Sequence, residues 1–278
     1  VTILPEPDCL TQQLRVQIKT TEETGLPYPE VPAWALFLLL MDMERYGIIP
    51  DKHPREIVLL RGKGCVYRKC TFCDYYADAH PDPNANFLLN RQVLQRVTGR
   101  YRNLEVINSG SVFELDDRTL ELIRSICAEK QIDTLHFEAH ALYRGRIPAL
   151  RELFPDVTLK MKLGLETFDP VLREQVLRKG IPEQTPEEIA CGFQEANFLF
   201  GLNGQTEDSM RRDILLGCKF FERICINIMC ENTTGVKPDP SVIHTFAERI
   251  YPQIKDDPRI DILMENTDFG VGGVKYAQ

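Results

Sequence analysis

The sequence predicts an α/β fold, a partial (β/α)6 TIM-type barrel with an N-terminal extension. Strand-like apolar runs alternate with helix-patterned stretches from residue 56 onward, which is how βα units around a parallel sheet read. The 278 residues suffice for one domain of barrel size. The strand-like runs end in polar or Gly-containing turns, and chemistry in such barrels sits at the C-terminal ends of the strands. One domain is expected: an extension over 1–55, a core barrel over 56–230 and a substrate-side segment over 231–278.

The extension holds a Pro-rich opening, Pro27 to Pro32, and a helix expected over Ala33–Tyr46. Glu56–Arg61 reads as the first strand. A helix follows over Asn90–Tyr101, with Val93, Leu94 and Val97 on one face and Asn90 as its N-cap. Leu104–Asn108 is the next strand, then a helix over Asp116–Lys130 with Leu120, Ile123 and Cys127 at helical spacing. Strand Thr134–Phe137 precedes helix Arg146–Phe154, and strand Val157–Leu165 precedes helix Pro170–Arg178. Strand Asn197–Leu202 leads into a long helix, Thr206–Arg223, capped by Thr206. Strand Ile224–Met229, helix Ser241–Tyr251 and strand Ile260–Met264 complete the pattern.

Hydrophobic content of 43% and charged content of 27% are those of a soluble globular protein. The longest apolar stretch, Ala33 to Met41, falls short of the ~18 residues that span a bilayer. No membrane partner is expected. Net charge is −8, and basic residues are dispersed apart from Arg61, Lys63, Arg68 and Lys69. That balance argues against a nucleic-acid partner and for a small-molecule substrate. The nine cysteines are odd in number and scattered, and no signal peptide is visible in the given sequence. Free thiols in a reducing compartment, the cytoplasm, are expected. Cys9, Cys127, Cys191, Cys218, Cys225 and Cys230 read as small hydrophobes, with a second metal on Cys218, Cys225 and Cys230 as the alternative.

Cys65, Cys70 and Cys73 stand apart. They follow the apolar run Ile57 to Leu60 and a Gly-rich turn, and they place three thiols on one short loop. Three thiolates leave a tetrahedral zinc site one ligand short, and an ordinary four-iron cluster takes four. On a four-iron cluster, three would leave one iron open for a substrate or cofactor. With His80 the same cysteines also spell a zinc knuckle, which would make the chain a zinc-stabilised binding module.

The loop resembles that of the radical SAM superfamily, whose usual spacing is C-x3-C-x2-C where this chain has C-x4-C-x2-C. The extra residue falls in the first half. Cys70-Thr71-Phe72-Cys73 matches, with an aromatic before the last cysteine. The resemblance implies a 4Fe–4S cluster on Cys65, Cys70 and Cys73, S-adenosylmethionine (SAM) on the open iron, and Phe72 beside the adenine. It also gives roles to the strand ends. Ser109-Gly110-Ser111 would meet the SAM amino group. Glu138 would contact the ribose or amino group, and Glu166, in Gly164-Leu165-Glu166-Thr167, the ribose hydroxyls. Arg173 would pair with the SAM carboxylate. Gly201 and Asn203, in Gly201-Leu202-Asn203-Gly204, would lie against the adenine. Read as residues alone, Arg173 is equally a surface helix residue and His140 a structural imidazole.

Substrate-binding candidates are His140, Asn227, Glu231 and Asp268, with Tyr75, Tyr76 and Phe113 as stacking aromatics. One carboxylate can accept both adjacent N–H donors of a guanine-like edge. Singly, each late polar residue also reads as a solvated loop residue. Compact size, acidic balance and the long first cysteine step resemble the queuine lyase family of bacterial queuosine salvage. That resemblance implies a lyase that generates a 5′-deoxyadenosyl radical and cleaves a C–N bond in queuine, releasing 7-aminomethyl-7-deazaguanine. It implies a deazapurine base as substrate and a reductant such as flavodoxin or ferredoxin. The alternative is a radical SAM enzyme acting on tRNA, a peptide or another small metabolite.

Overall fold

The computed structural model describes residues 43–272. They belong to one compact unit, residues 43–278. Up to residue 42, the helix expected at Ala33–Tyr46 lies outside the described residues. Its last residues are not helical, because Tyr46 opens a strand.

An eight-stranded sheet runs in the order β1-β2-β3-β4-β5-β6-β7-β8. β1 (Tyr46–Ile49) pairs antiparallel with β2 (Arg55–Leu60). β3 (Asn103–Asn108), β4 (Thr134–Ala139), β5 (Thr158–Glu166), β6 (Glu195–Phe200), β7 (Arg223–Ile228) and β8 (Ile260–Leu263) then add in parallel. The sheet curls into an open, partial barrel. It also crosses both expected boundaries, since β1 falls within 1–55 and β8 within 231–278. No sequence signal marked β1, whose Tyr46-Gly47-Ile48-Ile49 is too short to show a period.

Helices α1 (Pro83–Leu94), α2 (Asp117–Glu129), α3 (Ile147–Leu153), α4 (Pro186–Ala190) and α5 (Glu207–Phe220) follow successive strands. α6 (Pro240–Thr245) continues through a π turn, Phe246–Ile250, into α7 (Tyr251–Ile254). Thr206 caps α5 as expected, accepting from the Ser209 N–H at 3.1 Å. α1 starts earlier than expected: Asp82 is its N-cap, with Pro83 in the first turn. Asn90 lies near its end, fully buried, and clamps Arg61 by accepting from its N–H at 2.8 Å and donating to its carbonyl at 2.9 Å. The helix expected at Pro170–Arg178 is a single π turn, Leu172–Val176. It stops where Arg178 turns left-handed at φ 54°. Among the described residues no helix is long and apolar enough to cross a membrane.

β2 to β7 are buried along almost their whole length, so they read as near-continuous apolar runs. The main core unites Val58, Leu60, Leu104, Phe137, Leu163, Phe198 and Ile226 with the inner faces of the helices. The N-terminal ends of the strands are closed differently. Arg55, Lys162 and Arg223 meet Glu105, Glu195 and Asp261, all six nearly devoid of solvent contact. Arg223 binds both Glu195 oxygens at 3.0 Å and reaches Asp261; Arg55 reaches Asp261 at 2.9 Å and also Glu105. Burial alone would raise Glu105, but Arg55, Lys162 and Arg223 outweigh it and hold it well below the usual carboxylate range. His53, His136 and Glu195 bring three ligand atoms within 4.8 Å of one another. Glu195's charge is already spent on Arg223, so this floor is an ion-paired plug. A groove of about 440 Å³ lined by Arg102, Cys127 and Phe154 also opens at this end of the strands.

Candidate active site

The other end of the barrel carries the cysteines. β2 ends at Leu60, and the chain then loops through Gly62 to His80 before α1. α1 ties both feet of this loop. Asn90 holds the Arg61 backbone, and Asn86 accepts from Arg61 Nε at 2.9 Å and donates to the His80 carbonyl at 2.8 Å. His80 itself accepts the Asp82 N–H at Nδ1. Four further anchors hold the span between. The Val66 N–H donates to Glu114 at 2.7 Å and the Thr71 N–H to the Leu177 carbonyl at 3.1 Å. Asn232 donates to the Phe72 carbonyl at 2.7 Å, and Thr233 donates to Asp74 at 3.0 Å.

Cys65, Cys70 and Cys73 are free and half-buried within this frame. Burial pushes the Cys70 thiol up to about 11, and raises Cys73 as well. Three thiolates on one anchored loop leave a tetrahedral zinc one ligand short and fit a four-iron cluster with one iron left open.

Lys179 and Glu166 lie beside the thiols. Lys179 donates to Glu166 at 2.9 Å and sits 5.5 Å from the centre of the Phe72 ring. Burial would lower its pKa, but Glu166 and the nearby Cys70 outweigh that and raise it. Glu166 ends β5 at a register shift between Gly164 and Glu166, with φ 73°. A left-handed non-glycine residue costs on the order of 1–2 kcal/mol, and such strain gathers at functional sites. Phe72 packs with Leu172, Leu177, Leu199, Leu202 and Met229, a small apolar cluster separate from the main core.

Deeper in the barrel, Glu138 of β4 accepts from Asn197 Nδ2 of β6 at 2.8 Å and stands 3.8 Å from Lys162. Burial raises its pKa against the pull of Lys162 and Asn197. Asn197 Oδ1 is buried without a hydrogen-bond partner. An unsatisfied acceptor of this kind costs roughly 1–3 kcal/mol, and here it adjoins the lumen below the cysteines. Asn227 is half-buried on β7 and donates to the Phe198 carbonyl at 3.3 Å.

Other expected residues are engaged elsewhere. Arg173 is 1% exposed and turns into its own loop, toward Glu174 and the carbonyls of Phe168 and Glu183. It braces the turn after β5 instead of reaching the mouth. His140 accepts from the Leu142 N–H and donates to the Lys179 carbonyl at 2.7 Å, so both ring nitrogens are spent. Burial lowers it to about 4; it is a structural imidazole that positions Lys179. Ser109 donates to Asp78, and Ser111 accepts the His140 N–H. Gly110 stays small because a Cβ there would strike Glu114. Gly201, at φ 90°, makes room for Ile243, and Asn203 is an exposed donor to Asp239. Phe113 packs under Arg146 and beside Tyr143. Tyr75, by contrast, stays at the site: it is 60% exposed and within electrostatic reach of Cys73, Glu138 and Glu166.

The late carboxylates do not meet the premise of a buried reader. Glu231 is exposed beside Lys237 at 3.1 Å, and Asp268 is exposed and accepts the Met264 and Glu265 N–H groups of its own turn. Cys225 is buried in β7, while Cys218 sits on α5 and Cys230 beside Glu265, so they do not converge. Lys179, Lys162 and Asn197 were the polar residues missed. The available signal was a lysine flanked by apolar residues inside a central strand, Met161-Lys162-Leu163.

No protein-family model matches the chain. A solved queuine lyase from Clostridium spiroforme, bound to SAM and queuine, superposes with a TM-score of 0.81 at 44% identity. The match covers 84% of this chain and 100% of that one. Streptococcus suis SuiB bound to S-adenosylmethionine shares the fold at 13% identity and a TM-score of 0.52, with 92% of this chain and 61% of SuiB covered. The uncharacterized protein MJ0550 of Methanocaldococcus jannaschii is 24% identical over 165 residues, 52% of this chain. The chain spans 44% of the length of that curated relative.

Proposed function

The chain belongs to the queuine lyase family of radical SAM enzymes, and from that premise we propose that it cleaves the C–N bond of queuine and releases 7-aminomethyl-7-deazaguanine. The observation that carries this reading is the meeting of the anchored cysteine loop with Glu166, Lys179 and Phe72 at the barrel mouth. Cys65, Cys70 and Cys73 would hold the four-iron cluster, which with SAM supplies the hydrogen-atom abstraction that starts the reaction.

The chain's own residues bind, orient and exclude water. Glu166 offers its carboxylate to the ribose hydroxyls, and Phe72 gives the adenine an apolar face. The apolar cluster around Leu199 and Met229 keeps water from the reacting carbon. Glu138 and Asn197 are the polar pair facing the lumen, placed to take N–H groups of a deazapurine. The free cysteines fit a reducing cytoplasm, and a flavodoxin or ferredoxin fits as electron source.

The test is reduced, reconstituted protein incubated with SAM and queuine under anaerobic conditions, with both products followed by mass. Wild type should form 5′-deoxyadenosine and the aminomethyl base together. Cys70→Ala should retain only background iron and form neither. 5′-Deoxyadenosine without the base would move the substrate away from queuine. Full iron loading in Cys70→Ala would remove the cluster assignment.

A further inference from the structure

Lys63, Arg68, Lys69 and Arg178 are exposed on the outer face of the cysteine loop and its neighbouring turn. Among the described residues none of the four takes part in a salt bridge. Acids of the loop and its surroundings are engaged elsewhere: Glu174 accepts from the Gly180 and Ile181 N–H groups, Asp74 from Thr233 and Glu114 from Val66. A chain of net charge −8 therefore presents unspent positive charge on the loop that carries its three half-buried cysteines and on the turn beside it.

The patch is also held in place. Arg68 lies 5.3 Å from the Tyr76 ring centre and Lys69 5.8 Å from that of Tyr67. Tyr67 stacks on His140 at 4.4 Å and donates to the Arg178 carbonyl at 2.8 Å. Val66, 62% exposed, and Val176, 43% exposed, each lie two residues before one of the cations, Arg68 and Arg178. Pre-placed cations with exposed apolar neighbours suit a transient, charge-steered contact.

An electron bound for a group held on these cysteines must enter through the surface nearest to them. We propose that this basic face docks a small acidic one-electron carrier protein, which gives up one electron per encounter to the cysteine-bound cluster and leaves oxidised by one electron. This rests on the functional reading above.

The holoenzyme provides the test, with cluster bleaching in the visible band followed by stopped flow and reduced flavodoxin as probe. Binding of flavodoxin is measured separately by calorimetry. The double variant Arg68→Glu/Lys69→Glu should slow reduction by flavodoxin about tenfold or more and weaken its binding in parallel. Dithionite should bleach the same variant at the wild-type rate, and Lys219→Glu, an exposed charge reversal on α5, should change nothing. Wild-type reduction by flavodoxin should slow as salt rises. Equal flavodoxin rates in wild type and variant would overturn the proposal, as would a matching loss with dithionite. Displacement of the carrier by tRNA would assign the face to nucleic acid instead. A wild-type protein with no reducible cluster would overturn the functional reading and this face with it.

Discussion

The two ends of this barrel handle buried charge in opposite ways. At the floor, burial would raise Glu105 and Glu195, but Arg55 at the first, His136 at the second and Arg223 at both outweigh it and drive them below the ordinary carboxylate range. Above the floor, burial wins: Glu138 is raised, and Asp213 beneath the turn after β5 rises to about 6. The floor balances three cations with three carboxylates at hydrogen-bond range, and His136 Nδ1, which makes no hydrogen bond, still stands 3.0 Å from Glu195. Above the floor Asn197 Oδ1 has no partner, and at the mouth Glu166 is in a left-handed conformation. Charges paired at close range specify a fold. Polar groups left short of partners, on strained backbone, mark where a ligand completes them.

The floor offers the largest expected effect after loss of a cluster cysteine. Arg223→Met removes the two-pronged partner of Glu195 and one of the two cations on Asp261, leaving three buried carboxylates to two cations. Breaking a buried pair from one side costs about 3–5 kcal/mol, read as a lower urea midpoint. SAM affinity of the folded fraction should stay at the wild-type value. A variant of normal stability that has lost SAM binding would erase the distinction between floor and mouth.

Asp213 tests the opposite electrostatic sign. It sits on α5, 3% exposed, accepting from Thr167 at 2.6 Å and the Phe168 N–H at 2.8 Å, and so pins the turn that follows Glu166. Burial raises it despite those bonds; Asp169 adds to the rise and Arg212 opposes it. A carboxyl raised in the folded state contributes stability that is full below about pH 4 and is lost as pH climbs through about 6. Asp213→Asn keeps the acceptor oxygen and removes the titration. The variant should gain stability over wild type across that window, by up to about 3 kcal/mol, seen as a flatter urea midpoint against pH. Parallel curves would assign the slope to another group.

The same contrast explains what could be read from the sequence. The parallel strands were legible because burial on both faces makes them continuous apolar runs, and the cysteine loop because three thiols in nine residues need no tertiary context. Helix α1 was misplaced because its polar face is the buried one: Asn86 and Asn90 clamp Arg61, so apolar periodicity points to the wrong turns. Glu166 was singled out and Lys179 was not, since the two meet only when the turn after β5 folds back. Glu231 and Asp268 misled in the other direction. Their late position suggested the lumen, but each is absorbed at the surface, by Lys237 and by a turn's own N–H groups.

The smallest expected effect is at Glu166, where the two ends of the comparison come closest to overlapping. Because it holds Lys179 at 2.9 Å, with both side chains 9% exposed, Glu166 has a structural role as well as the proposed ribose contact. Glu166→Gln keeps an acceptor for Lys179 and loses the charge. It should weaken SAM binding about tenfold, or about 1.4 kcal/mol, with a smaller change in urea midpoint. The double variant Glu166→Gln/Lys179→Met separates the two roles. It removes the stranded cation, so stability should return toward wild type while SAM binding stays as weak as in Glu166→Gln. If SAM affinity recovers together with stability, Glu166 serves Lys179 alone, and the mouth's most strained residue is a counter-ion like those of the floor.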